Sequence, residues 1–150
     1  MNKISVENYF SYNNSLASGG QPTQEQLKVL KENGFEAIVN LSPTSARNAL
    51  VDEAKVTESL QMNYVHFPVD CTNLQDFHYL TFKGIMNGLN GKKTFVHCGM
   101  NIKSSNLIHL YLVLEKGMNK TESEKILQSI QTPENKWIKY FAQMGIENKA

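Results

Sequence analysis

The sequence predicts an α/β domain: a central, mostly parallel twisted sheet flanked by helices, with an all-helical C-terminal part. Three observations predict it. Short apolar, β-branched runs at Glu36–Leu41, Tyr64–Val69 and Thr94–His97 alternate with helix-length runs, the pattern of strands joined by helical crossovers. Leu107–Leu114 (LIHLYLVL) is apolar nearly all round, so its helix belongs in the centre of the domain. After His97 the remaining patterns are all helical. With no internal repeat and no linker-like stretch, 150 residues read as one domain spanning 1–150, of which 1–15 form an arm.

Each element has a local reason. The first twenty residues are polar and aromatic and end in Ser18-Gly19-Gly20, an irregular arm with one short strand. Pro22 and Thr23 open a helix; Thr23 with Gln26 is a capping-box pair, Leu27 and Leu30 share a face, and Asn33-Gly34 ends it. Glu36–Leu41 is a buried strand, Ser42–Asn48 a loop, and a helix follows over about 49–60. Tyr64–Val69 is the next strand and Asp70–Asn73 a turn. Leu74–Leu89 is a helix closed by Asn90-Gly91. Thr94–His97 is a core strand, broken by Cys98-Gly99-Met100-Asn101 before the central helix. Gly117 stops that helix. Thr121 and Glu124 suggest a second capping box for a helix to about Ile130, and a last helix carries Trp137, Ile138 and Phe141.

Composition excludes several classes. Apolar residues make up 41% and charged residues 19%, which is globular rather than disordered. A net charge of +1 argues against a generally basic nucleic-acid binder. Two cysteines, Cys71 and Cys98, without a CxxC pair argue against a disulfide scaffold and a zinc module. No apolar run reaches membrane length, and MNKISVENYF has no hydrophobic stretch after its Lys, so the reading is a cytoplasmic protein without a signal peptide or membrane partner. His66, His78 and His109 lack metal-ligand spacing and read as structural or surface residues; no metal or cofactor is expected. Of fifteen basic residues only Arg47 is an arginine; it either guides a substrate phosphate or is simply solvated.

The chemistry concentrates at Phe95–Ser105. A buried strand ends in Cys98, a short loop follows and a helix begins. In open α/β sheets ligands bind at the C-terminal ends of strands. The backbone amides of Gly99, Met100, Asn101, Ile102 and Lys103, with the helix N-terminus, form an anion cradle. The same field favours the thiolate of Cys98, a nucleophile for in-line attack on phosphorus. The Lys103 cation offsets charge on the oxyanion. Ser104 is placed to donate to the sulfur as it leaves. His97 fixes the loop by hydrogen bonds rather than acting as a base. The rival reading of Cys98 is an inert buried thiol; Cys71 is a small apolar filler or a redox partner for Cys98.

These residues carry a resemblance. Ser18-Gly19-Gly20-Gln21-Pro22-Thr23, Val39-Asn40-Leu41, His97-Cys98 with its loop, and Pro133-Glu134-Asn135-Lys136-Trp137 followed by Phe141 resemble the cysteine-dependent protein tyrosine phosphatase superfamily, dual-specificity-like branch. Within it they are similar to small bacterial phosphatases related to the beta-lactamase-hydrolase-like proteins. The resemblance implies a dual-specificity-phosphatase-like fold. It also implies metal-free hydrolysis of a phosphorylated substrate, phosphotyrosine or another phosphate monoester, through a phosphocysteine on Cys98. It implies a general acid from an upstream loop, assigned to Asp70 with Asp76 in reserve, while Asp70 also reads as a residue that caps a turn; Gln21 is left as a brace for the nucleophile loop or an ordinary turn residue.

The superfamily signature places an Arg in the loop. Here Lys103 stands where the small bacterial group often has it, and Asn101 where glycine is common. Arg offers a planar fork to phosphate and Lys a point charge. Two other readings therefore stand beside the enzyme: a degenerate phosphatase that binds phospholigands without efficient turnover, and a rhodanese-like sulfurtransferase, whose loop also begins with Cys after a strand.

Overall fold

A computed structural model describes residues 2–146. Eleven elements follow in order: β1 (Phe10–Asn13), β2 (Leu16–Gly19), α1 (Gln24–Glu32), β3 (Ala37–Asn40), α2 (Glu53–Ser59), β4 (Asn63–His66), α3 (Asp76–Gly88), β5 (Thr94–His97), α4 (Ile102–Leu114), α5 (Lys120–Ile130) and α6 (Asn135–Met144). The strands form one sheet in the order β1-β2-β5-β3-β4. Only β1 runs antiparallel, against β2; the β2–β5, β5–β3 and β3–β4 pairs are parallel. The predicted α/β architecture, with its helical C-terminal part, is the observed one.

Side-chain alternation along the strands builds a core on each face of the sheet. Ala17, Ile38 and Phe95 pack with Leu27, Leu30 and Phe35 on the α1 side. Leu16, Val39, Val96 and Cys98 pack with α3, α4 and the C-terminal helices on the other. Both α4 and β5 lie in the middle: every residue of Ser104–Leu112 is buried, as the absence of a polar face predicts. Trp137 is fully buried against Tyr140 and Phe141, and the Tyr140 hydroxyl donates to the Gln75 carbonyl, tying α6 to the start of α3.

Four departures from expectation have a local reason. The arm holds a two-stranded hairpin rather than one strand, because the polar run FSYN alternates half-buried and exposed positions along β1. The helix expected from residue 49 starts at Glu53, after Asp52 in the left-handed region (φ 59°), and only then turns helical. The strand after Met62 ends at His66, before Pro68, which has no N–H to extend the ladder. Helix α5 starts at Lys120, capped by Asn119, whose Oδ1 accepts from Glu122 N at 3.2 Å; Thr121 already lies inside the helix. The Thr23–Gln26 capping box is present with both bonds.

Candidate active site

The central strand β5 delivers His97 and Cys98 to the sheet's C-terminal edge, and α4 begins four residues after Cys98. Cys98 is 2% exposed. Its Sγ lies 3.5 Å from Ser104 Oγ. Ser104 has one hydroxyl proton and gives it to Asn101 Oδ1 at 2.7 Å, so across the sulfur contact the thiol is the donor. For Ser104 to donate to a thiolate, as the sequence reading has it, the hydroxyl must turn away from Asn101.

The loop needs a left-handed residue to turn from strand into helix in so few positions. Asn101 supplies it at φ 68°, a region that Asn tolerates better than most residues. Its buried side chain also donates from Nδ2 to the Asn8 carbonyl at 2.8 Å. The loop carbonyls are held from outside. Gly99 O accepts from Gln21 N at 3.0 Å and from Asn48 Nδ2 at 3.3 Å. Met100 O accepts from Asn8 Nδ2 at 3.0 Å. Asn101 O accepts from the Ser105 hydroxyl. Asn8 and Asn48 carry no sequence signal, since a lone exposed Asn reads as an ordinary loop residue.

Gly20 lies against this loop. A Cβ there would meet the Gly99 carbonyl oxygen at 2.7 Å, and backbone cannot step aside cheaply. Gly20→Ala is expected to push the arm off the loop and destabilise the fold by about 1–3 kcal/mol, read as a lower midpoint in chemical denaturation. A wild-type midpoint in that variant would show the approach is not tight.

Asp70 is exposed beyond β4, where Val69 N still bonds to Leu41 O. Its Oδ1 accepts from the Thr72 hydroxyl at 2.6 Å and Thr72 N at 3.0 Å. The Thr72 bonds hold the Asp70 carboxyl below the usual carboxylate range, and the fields of Lys103 and His78 act in the same direction. Asp70 thus feels both the Lys103 and the His78 side chains. Burial in turn lowers His78, against the opposing pull of Asp70. Asp76, the reserve acid, lies in the first turn of α3, and its Oδ1 accepts from Gln143 Nε2.

Beneath the loop lies a group the sequence did not single out. Glu53, at the start of α2, is buried; its Oε2 is 2.6 Å from His97 Nε2 and its Oε1 accepts from Gln21 Nε2 at 2.7 Å. Gln21 thus meets the loop through its backbone and Glu53 through its side chain. A glutamate opening a helix reads in sequence as a favourable partner for the helix dipole, which hides this arrangement. Arg47 is exposed in the loop after β3, and Cys71 packs against the same core as Cys98 with both thiols free.

Comparisons with known proteins follow this geometry. A family model described as a DSP-PTPase phosphatase fused to NAD+ kinase matches residues 5–143. No curated protein matches the sequence. Among solved structures, the chain is similar to a DUF442 protein of Shewanella putrefaciens CN-32, with 27% identity and a TM-score of 0.83 over 93% of this chain and 90% of that one. It shares its fold with the core catalytic domain of the PP-IP phosphatase SIW14 of S. cerevisiae (12% identity, TM-score 0.77, 94% and 87% of the two chains). The same holds for TpbA of P. aeruginosa (12% identity, TM-score 0.74, 91% and 84%), a protein also solved in complex with pTyr.

Proposed function

Because the chain belongs to the DSP-PTPase phosphatase family found fused to NAD+ kinase, we propose that it hydrolyses phosphate monoesters through a phosphocysteine intermediate on Cys98. The observation that carries this reading is the buried Cys98 at the end of the central strand, opening a short loop that leads into the N-terminus of α4, where Lys103 lies in the first turn.

The Cys98 thiolate attacks phosphorus and the bond from phosphorus to the ester oxygen breaks. Asp70 gives its proton to the departing oxygen. The amides of Gly99, Met100, Asn101, Ile102 and Lys103 and the Lys103 ammonium hold the non-bridging oxygens. Ser104, turned from Asn101, donates to the sulfur. Water then attacks the phosphocysteine, Asp70 takes up its proton, and the phosphorus–sulfur bond breaks to return the thiolate and release phosphate. None of these steps calls for a metal or cofactor. Met100 and Ile102 are 46% and 40% exposed on the loop itself and give the site an apolar rim, which suits an aryl ester such as phosphotyrosine.

The test is hydrolysis of para-nitrophenyl phosphate in chelator, with acid-quenched mass spectrometry of the peptide carrying Cys98. A phosphoryl adduct on that peptide is expected; turnover with the adduct on another residue, or no turnover, would overturn the reading. Lys103→Arg is expected to raise kcat/KM by about tenfold or more, because the fork replaces a point charge on the transition-state oxygens. A fall would show that the loop is shaped around the ammonium.

Lys103 also favours a second reading, a phospholigand-binding module with poor turnover. Saturable phosphate binding without hydrolysis by the wild type would select it.

A further inference from the structure

Glu53 is 5% exposed, and among the described residues the only basic group within ion-pair distance of it is His97, itself fully buried. A buried carboxylate persists only where it is paired and hydrogen-bonded. Glu53 meets that condition with Gln21 Nε2 donating to one oxygen and His97 Nε2 at 2.6 Å from the other. Tyr64, a phenol raised by burial, also lies within the field of Glu53.

His97 and Gln21 lead to consecutive peptide units of the nucleophile loop. His97 Nδ1 lies 3.2 Å from the Cys98 carbonyl. A carbonyl only accepts, so Nδ1 carries a proton. Gln21 N–H donates to the next carbonyl, Gly99 O, at 3.0 Å. In a planar trans peptide the N–H points opposite to its C=O. Holding the Cys98 and Gly99 carbonyls on the Glu53 side therefore turns the amides of Gly99 and Met100 the other way.

We propose that Glu53 is the positioning residue of the nucleophile loop, clamping His97 and Gln21 so that both ring nitrogens of His97 bear protons and the first two loop amides face the bound phosphoryl group. This rests on the phosphatase reading for the identity of the anion, but not on turnover. In that arrangement the doubly protonated ring places its positive charge on the residue next to Cys98. In Glu53→Gln, the amide oxygen can satisfy one donor while the amide NH2 faces the other, so one arm of the clamp opens.

Two measurements test it. In the wild type, ring-nitrogen NMR of His97 is expected to show both nitrogens protonated. A singly protonated His97 would overturn the proposal, whether or not any variant folds. Second, inorganic phosphate is titrated as a protectant of Cys98 against iodoacetate. The concentration giving half protection is expected to rise about tenfold or more in Glu53→Gln and by a smaller factor in Gln21→Met. A folded Glu53→Gln with wild-type protection would overturn the proposal. Protection that depends on Glu53 in a protein without para-nitrophenyl phosphate turnover would support it while the hydrolase reading falls.

Discussion

Cys98→Ser is expected to remove at least about 10⁴-fold of the para-nitrophenyl phosphate activity, the largest effect of any single change in this protein. Serine keeps the size of the side chain and its contact with Ser104, but its hydroxyl stays protonated where a thiol ionises. The loop should survive, because its carbonyls are held by Gln21, Asn48 and Asn8 and not by the sulfur. Phosphate binding near the wild-type level, measured by calorimetry, would separate a lost nucleophile from a lost fold. Activity equal to the wild type would end the phosphocysteine mechanism.

Asp70→Asn is expected to lower kcat by about 10²–10⁴-fold, the usual range for a lost general acid. The loss should be greater for a poor leaving group such as an alkyl phosphate than for para-nitrophenol, which departs without a proton. The sign of the pH dependence follows from the Asp70 environment. Hydrogen bonds from Thr72 first, then the Lys103 field, hold its carboxyl below the usual range. A lowered group gives up its proton at lower pH, so the pool of competent acid shrinks early as pH rises. The alkaline limb of kcat/KM should therefore begin on the acidic side of neutrality and flatten in Asp70→Asn. An unchanged limb in that variant would move the role to another group, with Asp76 the next to test. Its contact with Gln143 already gives Asp76 a structural task.

Much of the fold was readable because it depends on local periodicity. Strands β3 and β5 are buried at every position, as strands covered on both faces are, and the Leu107–Leu114 stretch of α4 is apolar nearly all round. The nucleophile loop was equally visible, since a strand, a cysteine and a helix start are contiguous in the chain. What escaped notice depends on distant partners. Glu53 meets His97 across 44 residues and Gln21 across 32, and no window of sequence brings them together. Strand β1 was hidden by its polar composition, because one of its faces is solvated. The caps illustrate both outcomes. Thr23 and Gln26 form their box, while Asn119 outcompetes Thr121 because it begins α5 earlier and its side chain already serves the Glu122 amide.

Two of the bonds that shape the nucleophile loop join residues far apart in the chain. Asn8 reaches Met100 across 92 residues and Asn101 returns to Asn8 across 93. Such contacts form only after the chain between them has been ordered, because each closes a long loop against its entropy. The arm that supplies them lies on the edge of the sheet, where partial opening costs less than global unfolding. Closure of the nucleophile loop is in this sense expected to come late in folding and to be lost early when the edge frays, while the parallel core beneath it is still intact.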